Sequence, residues 1–182
     1  MFVLDQFVED CRSAVKKDPT HLSVKALVEE ACAEPDEILR ALGEPTKAGA
    51  FPIYNAPDLT ILNLVWGKNM SIMPHNHEMW AVIGLYTGRE NNIFWRKLPP
   101  DAHNDIEAAG AKSMGAGDVS PLGEDIIHSV TNPLDKLTGA LHVYGGDFFS
   151  IHRTEWDAEN LIPRPYDVGR NIAAFAAANG EK

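Results

Sequence analysis

The sequence predicts a mainly β chain, a closed barrel or sandwich of short strands behind an N-terminal layer of α-helices. Two observations carry this. Apolar residues recur at helical spacing up to Gly43; beyond it, short runs rich in Ile, Val, Tyr, Trp and Phe alternate with Gly, Pro, Asn and Asp. A third is the Ala-rich stretch Asn171 to Asn179, which reads as a closing helix. Taken in order, Phe2 to Lys17 is helical and ends at Asp18-Pro19. Thr20 is the N-cap candidate for a second helix, His21 to Ala33, with an apolar stripe of Leu22, Val24, Ala26, Leu27 and Ala31. Asp36 can cap a third, Glu37 to Leu42, stopped by Gly43. Strands are expected near Phe51 to Tyr54, Leu59 to Trp66, Ser71 to His77, Trp80 to Thr87 and Asn92 to Lys97. Others are expected near Ala111 to Met114, Ile126 to Thr131, Thr138 to Tyr144 and Phe148 to Arg153, with Pro163-Arg164-Pro165 as a surface crossing. The expected organisation is one domain: residues 1–45 a helical layer, 46–157 the barrel and 158–182 a C-terminal extension.

A chain of 182 residues, 45% hydrophobic, buries enough surface to hold a core without disulfides or metal, so a metal here would serve chemistry. With 16 Lys+Arg against 26 Asp+Glu the net charge is −10, and no basic cluster interrupts it. That disfavours a nucleic-acid partner and an acidic membrane surface. Cys11 and Cys32 sit in helix-patterned segments, where a thiol packs as a small apolar residue, and a reducing compartment is expected. Asp5, Glu9 and Asp10 interrupt the N-terminal apolar positions, so the start reads neither as a signal peptide nor as a membrane span, and a cytoplasmic location is expected. A homodimer is compatible with this pattern.

The first string that carries chemistry is MPHNHEMW, Met73 to Trp80. On an extended strand His75 and His77 share a face, about 6.6–6.8 Å apart along the backbone, and two imidazoles can converge on one metal. Alone the signal is weak, since seven histidines in 182 residues give roughly a quarter of an H-x-H by chance. Glu78 falls on the opposite face. Downstream runs GAGDVSPLGEDIIHSVTN, Gly115 to Asn132. Together the two strings resemble the signature motifs of the cupin superfamily. The first closes on Gly88; the second aligns Gly115, Pro121, Gly123, His128 and Asn132, with its glycines expected to serve tight turns at positive φ. The resemblance implies a double-stranded β-helix, a jelly-roll barrel, with His75, His77 and His128 as metal ligands. The glutamate that usually follows H-x-H is absent, Ala81 and Val82 standing there. Three neutral histidines on an octahedral ion leave three open positions for substrate and dioxygen, and the missing carboxylate counts against a 2-oxoglutarate oxygenase.

The third string is TGALHVYGGDFFSIHR, Thr138 to Arg153, where parity puts Ala140, His142 and Tyr144 on one face, a pattern suited to a polar cavity wall. From about Asp58 to Arg153 the chain resembles the thiol dioxygenases, the group containing cysteine dioxygenase and 3-mercaptopropionate dioxygenase. That resemblance implies Fe(II) held by three histidines, although zinc or another divalent ion also suits the set. It implies a small, carboxylate-bearing thiol and O2 as substrates. Tyr144 would act beside the reacting atoms, His142 would orient it, and Arg153 would anchor the carboxylate. The sequence departs from the family at Ala140, where the family has serine, so no hydroxyl is available there to fix the tautomer of His142. The segment from Ala50 to Asp58 lacks the arginine that cysteine dioxygenases carry there, and Val82 stands near the place of the crosslinked cysteine. Two other readings stand beside this one: a three-histidine dioxygenase that cleaves a C–C bond of a diketone, and a non-catalytic cupin that binds a metal or ligand. His21, His103 and His152 read as surface residues, and Met79, Trp80, Phe94 and Trp95 as packing.

Overall fold

The computed structural model describes residues 1–100 and 102–181; Asp101 of the polar loop and Lys182 at the end of the extension lie outside them. Three helices come first: α1 (Leu4–Lys17), α2 (Leu22–Cys32) and α3 (Pro35–Leu42). Their ends differ slightly from expectation. His21 occupies the cap of α2 in helical conformation, while Thr20 Oγ1 accepts from Leu22 N at 3.3 Å. Pro35 opens α3, as its fixed φ and missing N–H suit a first helical position, so Asp36 lies inside the first turn rather than capping it.

Eleven strands follow: β1 (Gly49–Ala56), β2 (Leu59–Trp66), β3 (Ser71–His75), β4 (Ala81–Thr87), β5 (Arg89–Lys97), β6 (Ile106–Gly115), β7 (Val119–Leu122), β8 (Ile127–Thr131), β9 (Thr138–Tyr144), β10 (Thr154–Trp156) and β11 (Pro163–Pro165). The antiparallel pairs β2 with β9, β3 with β8, β4 with β7 and β5 with β6 are those of one long hairpin folded over on itself. Winding that hairpin sends alternate pairs to opposite walls. One sheet has the order β1-β2-β9-β4-β7 and the other β11-β10-β3-β8-β5-β6, which makes the chain a double-stranded β-helix with helices outside.

Strand alternation divides the core in two. Leu62, Leu64 and Trp66 of β2, Ala81, Ile83 and Leu85 of β4, and Ala140 of β9 point into the barrel. Their neighbours Leu59, Ile61, Val82, Tyr86, Leu141 and Val143 point outward, against Phe7, Cys11, Val24, Val28 and Cys32 of the helical layer. Gly84 permits this contact, because a Cβ there would lie 2.5 Å from Cys32 Sγ and 2.6 Å from Val28 Cγ1. Both cysteines are free and buried, and burial pushes each thiol up to about 12.

Three expectations need correction. Phe148 to Arg153 is not a strand: the Asp147 carboxylate accepts from Phe149 N at 3.1 Å and from Ser150 Oγ at 2.6 Å, and this local competition turns the backbone out of the ladder until β10 begins at Thr154. Pro163-Arg164-Pro165, expected as a surface crossing, forms β11, and this strand, β1 with Pro52 and β7 with Pro121 all lie at sheet edges, where a missing N–H is tolerated, while Pro74 of β3 falls where the register with β8 slips. Finally, Gly115 and Gly123 do not have positive φ. The left-handed turns fall on Gly117, at φ 91°, and on Gly88, at φ 78°, where a Cβ would also lie 2.1 Å from Thr138 Oγ1.

The last helix, α4 (Val168–Ala178), starts at Asp167, whose side chain accepts from Arg170 N. It lies against the open side of the barrel. Phe175 stacks on Trp66 at 5.7 Å, and the Asn179 amide clamps both backbone groups of Ala48, accepting at 2.7 Å and donating at 3.0 Å.

Candidate metal centre

His75 and His128 are register partners on adjacent strands, so their side chains leave the ladder side by side, ring centroids 4.7 Å apart. His77 reaches the same point differently from expectation. The strand ends at His75, where the register with β8 has slipped, and Asn76 Oδ1 accepts from Thr154 N. The turn completed at Glu78, with φ 54°, brings the His77 ring to 5.1 Å from His75 and 4.9 Å from His128. Glu78 itself points to solvent, as expected, although the turn rather than strand alternation sends it there. The three histidines are buried and their ligating nitrogens lie within 4.8 Å of one another, the one such group found among the described residues.

The donor chemistry suits a divalent cation. Burial depresses all three imidazoles, His75 to about 4 and the other two well below their ordinary range, so they are neutral. His75 Nδ1 is 3.0 Å from the Met73 carbonyl and His128 Nδ1 is 2.7 Å from Asn92 Oδ1. Each of those oxygens holds a proton on Nδ1 and leaves a lone pair on Nε2. The Nε2 atoms of His77 and His128 are 3.3 Å apart, a gap that two metal–nitrogen bonds of about 2.0–2.1 Å can span.

Beside this group stands the pair expected from β9. His142 Nδ1 and Tyr144 Oη are 2.9 Å apart, and Tyr144 lies edge-on to His77 at 5.2 Å. Burial holds the Tyr144 hydroxyl protonated, well above its usual range, and holds His142 neutral, down to about 3. Arg153 is buried, 7% exposed, rather than on the surface. Its guanidinium lies between the rings of Phe148 and Tyr166, 3.9 and 4.0 Å from their centroids, and donates to the Phe148 carbonyl at 2.7 Å. No carboxylate pairs with it among the described residues, and its Nε has no partner.

A cavity of about 330 Å³ lies between the barrel mouth and α4, and of the three clustered histidines His128 alone is among its lining residues. His128, His142, Tyr144 and Arg153 line it, with apolar walls from Leu64, Trp66, Phe148 and Phe175. His21, His103 and His152 lie outside it.

Sequence reasoning missed Glu90 and Asn92. Glu90 is fully buried, accepts from Trp66 Nε1 at 2.7 Å and Asn92 Nδ2 at 2.8 Å, and comes within 3.9 Å of His142 Nε2. A buried carboxyl therefore stands behind His128, linked to it through Asn92, and near His142. The available signal was parity: Glu90, Asn92 and Phe94 share one face of β5, and Phe94 is apolar.

No family model matches the chain. Among solved structures, the chain is similar to an RmlC-like cupin family protein with a double-stranded β-helix fold from Methanocaldococcus jannaschii, at 8% identity, covering 59% of this chain and 87% of that one, TM-score 0.48. It is also similar to a protein from Bacillus halodurans, at 12% identity, covering 62% and 76%, TM-score 0.47. A third is a conserved protein with a double-stranded β-helix domain from Klebsiella pneumoniae, at 12% identity, covering 62% and 82%, TM-score 0.44. At these identities the likeness concerns the fold alone.

Proposed function

We propose that the chain is an Fe(II)-dependent thiol dioxygenase, with His75, His77 and His128 holding the metal, acting on a small thiol that carries a carboxylate. The observation that carries the substrate class is Arg153, a buried cation with no acidic partner among the described residues, at the wall of the cavity that His128 and Tyr144 also line. A buried charge without a counter-ion is costly, and an anionic ligand compensates it with bidentate hydrogen bonds.

Bound at these histidines, the metal would supply a Lewis-acidic, redox-active centre that favours the thiolate and activates dioxygen. The protein's own groups do the rest. Arg153 pairs with the substrate carboxylate and fixes which end of the molecule faces the histidines. Tyr144 keeps its phenol proton because burial disfavours the phenolate, so it serves as a hydrogen-bond donor at the reacting end. His142 donates from Nδ1 to Tyr144 Oη, which fixes the direction of the hydroxyl and leaves its own proton for the reacting end. The apolar walls limit water near the reacting atoms. Net, R–SH and O2 give R–SO2H: both oxygen atoms end on sulfur, and sulfur supplies the four electrons.

The test is oxygen uptake by Fe(II)-loaded protein across a panel of thiols with and without a carboxylate. Uptake that depends on the thiol, with one sulfinate formed per O2, is expected. Background uptake with every thiol, or uptake that requires a diketone instead, would overturn the reading.

A further inference from the structure

We propose that Glu90 is a positioning residue that sets the tautomer of His128 through Asn92, and so decides which His128 nitrogen carries the lone pair. The inference rests on reading His128 as a metal ligand. It does not depend on the substrate.

The argument follows the direction of each hydrogen bond. The Trp66 indole N–H can only donate, and it points at Glu90 Oε2, 2.7 Å away. Glu90 Oε1 accepts from the amide nitrogen of Asn92 at 2.8 Å. Burial raises the Glu90 carboxyl, but a proton there belongs on Oε2, the oxygen 3.9 Å from His142 Nε2, so Oε1 remains an acceptor in either state. Asn92 therefore turns its nitrogen to Glu90 and its oxygen to His128 Nδ1, 2.7 Å away. That oxygen demands an N–H, so the lone pair of His128 falls on Nε2. Nε2 is the atom 3.3 Å from His77 Nε2, inside the three-histidine group. All four side chains of this relay are at most 4% exposed, so water does not offer the amide a different partner.

The relay makes an isosteric change informative. In Glu90→Gln the carboxamide has one oxygen, which Trp66 takes, and an NH2 that would face the NH2 of Asn92. Relief comes when Asn92 reverses and presents its nitrogen to His128 Nδ1. The His128 proton then moves to Nε2, the atom that must bind the metal. Adding Asn92→Asp removes the conflict, because the introduced carboxylate accepts from both the carboxamide and His128 Nδ1–H.

Two measurements test this on the full chain. Two-bond 1H–15N correlations of the metal-free protein read the ring tautomers, and competition titration against a chelator reads Co(II) affinity. The wild type should show the His128 proton on Nδ1. Glu90→Gln should move it to Nε2 and weaken Co(II) binding by about 10–100-fold, the range typical of losing a ligand's outer partner. The double variant should restore both. A Glu90→Gln protein that keeps the wild-type tautomer and affinity would overturn the proposal, as would a double variant no better than the single one. If the wild type binds no Co(II), the metal reading fails, and the tautomers of the metal-free proteins still decide the role of Glu90. If the relay holds and thiol oxidation is absent, the catalytic reading alone fails.

Discussion

The two faces of the five-stranded sheet use the same strands for different ends. On the outer face, Leu141 and Val143 of β9 pack with Val82 and Tyr86 of β4 against α1 and α2, and the contact is almost wholly apolar. Its potentially reactive groups, Cys11 and Cys32, have thiols pushed up to about 12 and are inert. One residue over, Ala140, His142 and Tyr144 face inward, and the barrel interior exchanges apolar packing for imidazoles, a phenol, a carboxyl and an amide. Each buried polar group there needs a partner, a demand that the outer face makes at Tyr86, whose hydroxyl donates to Asn63 Oδ1 at 2.6 Å. The outer face thus supplies stability through apolar burial, and the inner face gives up part of it to hold buried polar groups.

Substitutions on one face or the other test whether the two are independent. The largest effect is expected from His128→Ala, which should abolish stoichiometric metal binding, measured by elemental analysis after loading, while the chain stays folded by circular dichroism. Retained metal would remove His128 from the group. Tyr144→Phe should keep both metal and fold yet lower thiol-dependent turnover by about 10²–10⁴-fold, the usual worth of a positioned acid or base. Unchanged turnover would leave Tyr144 a packing residue. On the other face, Leu141→Ala should cost about 2–5 kcal/mol of stability in urea denaturation with metal affinity unchanged, as expected of a cavity in an apolar layer. A parallel loss of metal affinity would show that the two faces are coupled. Arg153→Ala should have the smallest effect, about 1.5–3 kcal/mol in KM for mercaptopropionate and little for cysteamine, which lacks a carboxylate. Equal changes for the two thiols would assign the acid to another anchor.

Legibility in the sequence tracks how local the cause is. The bounds of β2 and β9 emerge as expected, since alternating apolar runs between turn residues specify them without help from the rest of the chain. Phe148 to Arg153 has the composition of a strand, but Asp147 offers its backbone another partner. No strand is expected at β7, which is four residues long and holds Pro121, and its place at a sheet edge is what accommodates that proline. Glu90 had no motif to mark it, and only the fold shows that Trp66 and Asn92 donate to its two oxygens.

The helical layer, the strand-rich region and the short list of candidates are legible along the chain, because hydrophobic period, punctuation and histidine spacing are properties of neighbouring residues. Which candidates meet depends on how the sheets pack. His77 and His128 are 51 residues apart in the chain and 3.3 Å apart at Nε2 because β3 pairs with β8 at His75 and the turn through Glu78 carries His77 back to them. Arg153 became a buried cation because the Asp147 turn and the rings of Phe148 and Tyr166 carry it to the cavity wall. Glu90 gained its place from the pairing of β5 with β8, which brings Asn92 to His128. Register is set by the summed packing of two whole sheets, and no local window of the sequence contains it.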